Sequence, residues 1–384
     1  MNDTTRWLLP AMLVLVLVML AVLTTPMGSR GLSYDADLET LAKAGTYEVG
    51  ADPFIVVAED LDGDSAPDVI VTNHAAGSVS VLINKGDGQF QDPVQYPTGT
   101  GTFGVACADI DGDSHPDVIV TNERSNTVSV LFNSGDGALA TRTDIPSGPS
   151  PHMTAVADFN GDSLLDIAIP NYDSRTVSVL TNRGDGTFDE RVDFTTHLQP
   201  FSAVASDLNG DGAVDIATAS YAEGYVDILW NDGSGGFSTR TAMEIGPEAL
   251  WSIASADLNG DALPELIVTR YSSGAVTVLE NHGGGSFTTS VDYLTGTGGP
   301  CWVTPFDVDG DTLLDLAVVD GYAHTLTVLR NEGDGTFEHK VEFETGRGPS
   351  SAAAADFDGD GRQDIAVANW ESNEVVIYLN RQEQ

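Results

Sequence analysis

The chain is expected to fold as an all-β protein, a seven-bladed β-propeller of four-stranded blades closed by its own amino-terminal strand. Three observations predict this. A nine-residue acidic pattern opens at Asp60, Asp109, Asp158, Asp207, Asp257, Asp307 and Asp356, so consecutive copies stand 49, 49, 49, 50, 50 and 49 residues apart. A period near ~50 with several short strands per repeat is the mark of propeller blades. Apolar residues come in short runs punctuated by 41 Gly and 17 Pro, which favours short strands and turns. The two ends are also complementary: the seventh repeat stops after its third strand, while Tyr47 stands thirteen residues before Asp60, as Tyr96 does before Asp109.

The amino terminus differs from everything after it. Residues 8–23 form an uncharged apolar run preceded by Arg6 and followed by Thr24, Thr25 and Pro26. Such a run is an export signal or a membrane anchor, although a span usually takes about 20 apolar residues. The expected organisation is therefore a signal peptide or anchor over 1–30, a linker over 31–44 and the propeller over 45–384. This places the protein outside the cytoplasm, secreted, periplasmic or at the cell surface. Cys107 and Cys301 lie almost 200 residues apart in apolar segments and read as buried free thiols rather than a disulfide.

Within a repeat, four strands follow in order. A strand of small residues precedes each acidic loop, as in residues 104–108 (GVACA) and 351–355 (SAAAA), and suits the crowded position nearest a propeller axis. An apolar strand follows the loop (residues 68–72, DVIVT), then one that alternates (78–84, SVSVLIN). A hairpin turn opens at Asn84, Asn133, Asn182, Asn231, Asn281 and Asn331, and the outermost strand ends at Tyr96, Ile145, Phe194, Ile245, Tyr293 and Phe343. The missing fourth strand of the last blade should come from residues 46–50. Closure of this kind removes exposed sheet edges.

The acidic loops are the candidate metal sites, for up to seven Ca2+ ions. Positions 1, 3, 5 and 9 supply the side-chain oxygens: Asp60, Asp62, Asp64 and Asp68; Asp109, Asp111, Asp113 and Asp117; Asp158, Asn160, Asp162 and Asp166; Asp207, Asn209, Asp211 and Asp215; Asp257, Asn259, Asp261 and Glu265; Asp307, Asp309, Asp311 and Asp315; Asp356, Asp358, Asp360 and Asp364. A Gly at position 4 allows a tight reversal, and position 7 varies freely, as a main-chain carbonyl ligand would permit. This is similar to the ligand spacing of an EF-hand loop, joined here to strands. Turn formation alone would not need three or four carboxylates so close together, since their repulsion calls for a counter-ion. The fifth loop, with Asn259 and Glu265 both departing from the pattern, should be the weakest.

D-x-[DN]-G-D-x-x-x-D, repeated after an Ala-rich strand over residues 45–380, resembles the FG-GAP or VCBS repeat family, which includes the amino-terminal propeller of integrin α subunits. The resemblance implies a calcium-binding propeller. It also implies roles in adhesion, surface recognition or carbohydrate handling, with a few lyases and hydrolases among the relatives.

A formal charge of −42, from 16 Lys and Arg against 58 Asp and Glu, excludes nucleic acid and anionic lipid surfaces as partners. The blade topology sends the acidic loops to one face and leaves the other free for a ligand. There the crossovers offer Phe54, Phe103, His152, Phe201, Trp251 and Trp302, which read chiefly as core. The loops from second to third strand offer Tyr172, Tyr221, Arg270, Tyr271, Tyr322 and Trp370 as candidate ligand contacts. The tripeptide Arg183-Gly184-Asp185 falls in a hairpin whose equivalents read Lys85-Gly86-Asp87 and Glu332-Gly333-Asp334, so it reads as a structural turn.

The expected function is a monomeric, non-enzymatic extracellular module that recognises a glycan or protein. The alternatives are a calcium-dependent glycan lyase or hydrolase, for which His74 or His152 with Glu123 or Arg270 would supply acid–base groups, and a membrane-tethered scaffold.

Overall fold

The computed structural model describes residues 29–30, 32–35, 40–296 and 298–381; the apolar run at residues 8–23 lies outside them. Seven antiparallel sheets follow one another along the chain. Blade one is built from Pro53–Glu59, Asp68–Asn73, Ser78–Leu82 and Val94–Pro97, in that order from first to fourth strand. Blades two to six repeat this meander, and blade seven combines Pro349–Ala355, Asp364–Asn369 and Glu374–Asn380 with Leu41–Glu48.

The blades pack face to face, so their inner strands are covered on both sides. Every residue of Asp68–Asn73, Asp117–Asn122 and Asp166–Asn171 is buried, as expected for a strand between two packed layers. Ser78–Leu82 is buried throughout as well, although its serines alternate with valines. The polar positions turn inward because a partner waits there: the Asn73 amide donates to Ser78 Oγ (3.1 Å) and Ser80 Oγ (2.9 Å). Burying a hydroxyl is tolerated when it is bonded in this way.

The ring closes as the sequence predicts, but with more chain. Leu41–Glu48 pairs antiparallel with Glu374–Asn380, Leu41 lying opposite Asn380 and Glu48 opposite Glu374. The Tyr47 hydroxyl accepts the Phe90 N–H of blade one at 3.0 Å, and the two rings meet edge to face. Residues expected to be linker therefore belong to the propeller. Upstream, Ser29–Arg30 pairs in parallel with the outer strand of blade five, Phe287–Leu294. Ser33–Tyr34 does the same on blade six, against Phe337–Glu344, and Asp35 reaches Arg330 at 3.1 Å. The physical reason is that an outer strand leaves one row of backbone groups unpaired, and any nearby extended segment can satisfy them.

The Asn that opens each hairpin turns out to be a latch between blades. Asn133 Nδ2 donates to the Leu61 carbonyl in the preceding blade's acidic loop (2.7 Å) and to Pro116 O in its own (3.1 Å). The same pair of bonds recurs at Asn182, Asn231, Asn281, Asn331 and Asn380. Asn84 bonds Phe357 O of blade seven at 2.9 Å and so completes the circle. All seven are buried. Asn231→Ala would strand the Phe159 and Val214 carbonyls, now 2.8 and 2.9 Å from the amide. A buried group left unsatisfied costs about 1–3 kcal/mol, so this change is expected to lower the unfolding free energy by roughly 2–4 kcal/mol. Urea denaturation with calcium present measures it.

Candidate functional site

Each acidic loop is shaped by its own carboxylates. In the first, Asp60 accepts the N–H groups of Gly63 and Ser65 (both 2.8 Å), and Asp64 accepts that of Ala66 (2.8 Å). Gly63 sits at φ 77° and Ser65 at φ 73°. A left-handed serine is disfavoured, and the bond from its N–H to Asp60 holds it there. Asp68, at position 9, is fully buried. One of its oxygens accepts the Leu61 N–H (3.0 Å), the other the Asn84 N–H (2.8 Å), which joins the loop to the blade latch.

Four loops gather three carboxylates with ligand atoms within 4.8 Å of one another: Asp60, Asp62 and Asp68; Asp109, Asp111 and Asp117; Asp307, Asp309 and Asp311; Asp356, Asp358 and Asp360. These groups can hold a metal ion. Burial first, then the neighbouring carboxylates, hold Asp62, Asp309 and Asp358 above the ordinary carboxylate range. Burial likewise pushes Asp68, Asp117, Asp215 and Asp364 up to about 6 and Asp315 to about 7. Asp358 Oδ1 is buried without a hydrogen-bond partner. An orphaned acceptor among like charges fits a hard cation.

The other three loops are quieter. Asn160 and Asn209 donate to Asp162 and Asp211 (3.0 Å each), and Asn259 to Glu265 (3.3 Å), so an amide meets part of the negative charge. Glu265 still reaches the Leu258 N–H at 2.8 Å, its longer arm replacing the Asp of the other loops. In the seventh loop Arg362 pairs with Asp360, an internal cation that the spacing does not announce.

At the opposite ends of the strands the blades enclose a cavity of about 300 Å3. Phe54, Phe103 and Phe201 line it, as do Tyr221, Trp251, Tyr271, Tyr322 and Trp370. The rings form a continuous arc: Tyr221 and Trp251 lie 5.5 Å apart, Trp251 and Tyr271 stack at 4.9 Å, and Tyr271 and Tyr322 follow at 5.5 Å. Tyr322 is 50% exposed at the mouth. Trp370 lies over Gly348, where a Cβ would meet its indole nitrogen at 2.5 Å, so only glycine leaves room for the ring.

Six overlapping segments of the chain, residues 60–120, 109–169, 158–218, 207–268, 257–318 and 307–367, match the profile described as FG-GAP-like repeat. The chain belongs to the FG-GAP-like repeat family. No curated protein sequence matches it. Among solved structures, BBS1N in complex with ARL6DN superposes with a TM-score of 0.65 at 11% identity, covering 89% of this chain and 97% of that one. An Agrocybe aegerita lectin, solved for its recognition of non-reducing terminal N-acetylglucosamine, gives 0.56 at 20% identity over 83% and 86%. Virginiamycin B lyase from Staphylococcus aureus gives 0.59 at 12% identity over 87% and 98%. At these identities the likeness shows the fold alone.

In this FG-GAP-like repeat protein four of the six expected ligand contacts, Tyr221, Tyr271, Tyr322 and Trp370, line the cavity. Two do not. Arg270 is largely covered and makes ion pairs with Glu248 and Asp292, which balance its charge. Tyr172 packs its ring on His152 at 5.2 Å, the interplanar angle being 16°. His152 is itself a core residue, stacked on Phe103 at 4.5 Å, and burial pulls its pKa down to about 3.

His74 and Glu123 do come together, Nε2 to Oε2 at 3.0 Å. Burial raises the Glu123 carboxyl, but the His74 bond and the nearby His152, His74 and Arg124 charges outweigh it, leaving its pKa lowered. Sequence reasoning missed Asp52, His324, Arg347 and Glu371 on the cavity wall. The available signal was their place in the crossovers and second-to-third-strand loops of the same face. Both thiols are buried or nearly so, and burial pushes Cys107 and Cys301 far above the ordinary range. Arg183 is tied to Asp189 at 2.6 Å.

Proposed function

We propose that this protein is an exported, calcium-stabilised recognition module that seats its ligand in the aromatic cavity, on the face opposite the acidic loops. The cavity carries the reading. A continuous arc of Tyr and Trp rings with one exposed member is the kind of surface that anchors a ligand, whereas core aromatics are sealed. The neighbouring structures of a lectin and of a protein complex support a recognition role by analogy. Calcium would be held by the position 1, 3, 5 and 9 groups. It would supply the positive charge that the clustered carboxylates lack and so fasten each loop to its blade. The loops beginning at Asp60, Asp109, Asp307 and Asp356 should bind most tightly, those with Asn160 and Asn209 less so, and the fifth least.

The test uses the native protein in 1 mM calcium on a printed array of glycans and peptides. Tyr322→Ala and Trp370→Ala are both expected to abolish the array signal; the melting temperature should stay within a few degrees for the exposed Tyr322, since exposed substitutions usually cost under about 0.5 kcal/mol, and fall further for the half-buried Trp370. Tyr172→Ala, which removes a packed ring, should instead destabilise. Retention of every signal by both cavity variants would overturn the reading.

A second reading has one observation in its favour, the His74–Glu123 pair, with His74 on the cavity wall. A carboxylate that orients an imidazole is a general-base arrangement. Release of unsaturated or reducing-end products from a glycan by the native protein, and its loss in His74→Ala, would establish that reading; product-free incubation would dismiss it.

A further inference from the structure

We infer that the cavity takes a neutral, hydroxyl-rich ring, a terminal or internal uncharged sugar residue, and discriminates against anionic sugars. This rests on the recognition reading above and names its ligand class. The argument is a balance of charge and hydrogen-bonding groups on the wall. The guanidinium that lines the cavity, Arg347, is three-quarters exposed at the rim and pairs through one nitrogen with Glu371 at 2.9 Å. His74 is committed to Glu123. His324 Nδ1 accepts the Gly348 N–H at 2.9 Å, which leaves Nε2 as the donor of that ring.

An incoming carboxylate or sulfate would therefore have to compete with Glu371 for the guanidinium of the described wall, at the rim rather than in the cavity. Within the cavity it would meet the carboxylate of Asp52, in a protein of formal charge −42. Like charges brought together in a partly desolvated site repel strongly. A cationic ligand fits less well than the charge suggests. The Trp251 indole N–H is buried without a partner, and His324 offers a second N–H; an ammonium group has no acceptor for either.

A sugar hydroxyl both donates and accepts, so it can answer these donors and the Asp52 acceptor together. The apolar face of a pyranose has the Tyr322 and Trp370 rings to lie against. A volume of about 300 Å3 is at the small end of ligand sites, which suits one or two sugar residues rather than a folded partner.

Tryptophan fluorescence of the whole protein in 1 mM calcium, titrated with methyl glucoside, methyl N-acetylglucosaminide, methyl glucuronide and tetramethylammonium, tests this. Neutral glycosides are expected to bind, and the glucuronide and tetramethylammonium at least tenfold more weakly. The glucuronide penalty should shrink as salt rises. Trp370→Ala and Tyr322→Ala should each weaken neutral binding at least tenfold, while Arg183→Ala, on the acidic-loop face, leaves it unchanged. A printed array of neutral, sialylated and sulfated oligosaccharides covers ligands longer than one residue. Equal or tighter glucuronide or tetramethylammonium binding, or no neutral sugar bound in either format, overturns the inference. If peptides then bind and Trp370→Ala abolishes that binding, the recognition reading survives without the sugar. If neither aromatic variant alters binding of any probe, both fall.

Discussion

In excess EDTA the protein is expected to melt more than about 10 °C below its temperature in 1 mM calcium. With a dissociation constant of about 0.1 mM per loop, within the range of extracellular modules, 1 mM calcium adds roughly 1.4 kcal/mol per site. The four clustered loops would then add about 6 kcal/mol and all seven about 10, against a usual total of about 5–15. Asp111→Ala alone, which damages one cluster, should lose only a fraction of this. The pH dependence has a definite sign. Without the ion, burial on folding raises five position 9 carboxylates, Asp68, Asp117, Asp215, Asp315 and Asp364, to about 6 or 7, and raises Asp166 and Glu265 as well. A raised carboxyl contributes stability that is complete below its unfolded value of about 4 and lost as pH climbs through the folded value. The chelated protein should therefore melt higher at pH 5 than at pH 8. With calcium, protons compete for the ligands and the trend reverses. Scanning calorimetry at both pH values checks it, and identical curves with and without EDTA would remove calcium from the account.

Removal of the closing strand is expected to have the second largest effect. Deletion through Gly50 takes away Leu41–Glu48, the whole ladder to Glu374–Asn380 and the Tyr47 contact with blade one. Blade seven would be left with three strands and an open edge, a template for aggregation. Deletion that stops before Thr40 removes, among the described residues, the two-residue pairings on blades five and six, the packing of Leu32 and the Asp35–Arg330 pair, and should cost less than loss of the closing strand. Light scattering and melting of the two truncations separate the cases. A monomeric longer truncation that melts like the shorter one would contradict the closure.

Much of this fold is legible because its signals are local. Nine-residue loops, two-residue alternation and a spacing of 49 or 50 residues are read along the chain without knowing what packs on what. So is the side of the disc to which each loop is sent, since strand reversal fixes it. The places where carboxylates can gather follow from the same spacing, because positions 1, 3, 5 and 9 belong to one loop.

Repeat comparison would have gone further in two places. An Asn follows the third strand's apolar run in all seven blades, even in the seventh, where no hairpin comes after it, yet its second role lies in a carbonyl about 72 residues back. Arg270 occupies the place of buried Asn73, Asn122 and Asn171 in other blades, a sign that it would be buried and paired rather than offered to a ligand.

The sequence by itself determined the class of fold, the number of blades, the ring closure by the amino-terminal segment and the positions of the acidic loops. Each of these is a property of contiguous residues or of their period. Only the tertiary structure decided which loops gather three carboxylates and which face aromatics line a cavity. It also set the Tyr172 ring on His152 and the Arg270 guanidinium between Glu248 and Asp292, and paired Ser29–Arg30 and Ser33–Tyr34 with blades five and six. Those outcomes depend on side chains from different blades meeting at the axis or along an outer edge. Which charges are neutralised and which rings are covered is fixed by that packing, and no periodicity carries it.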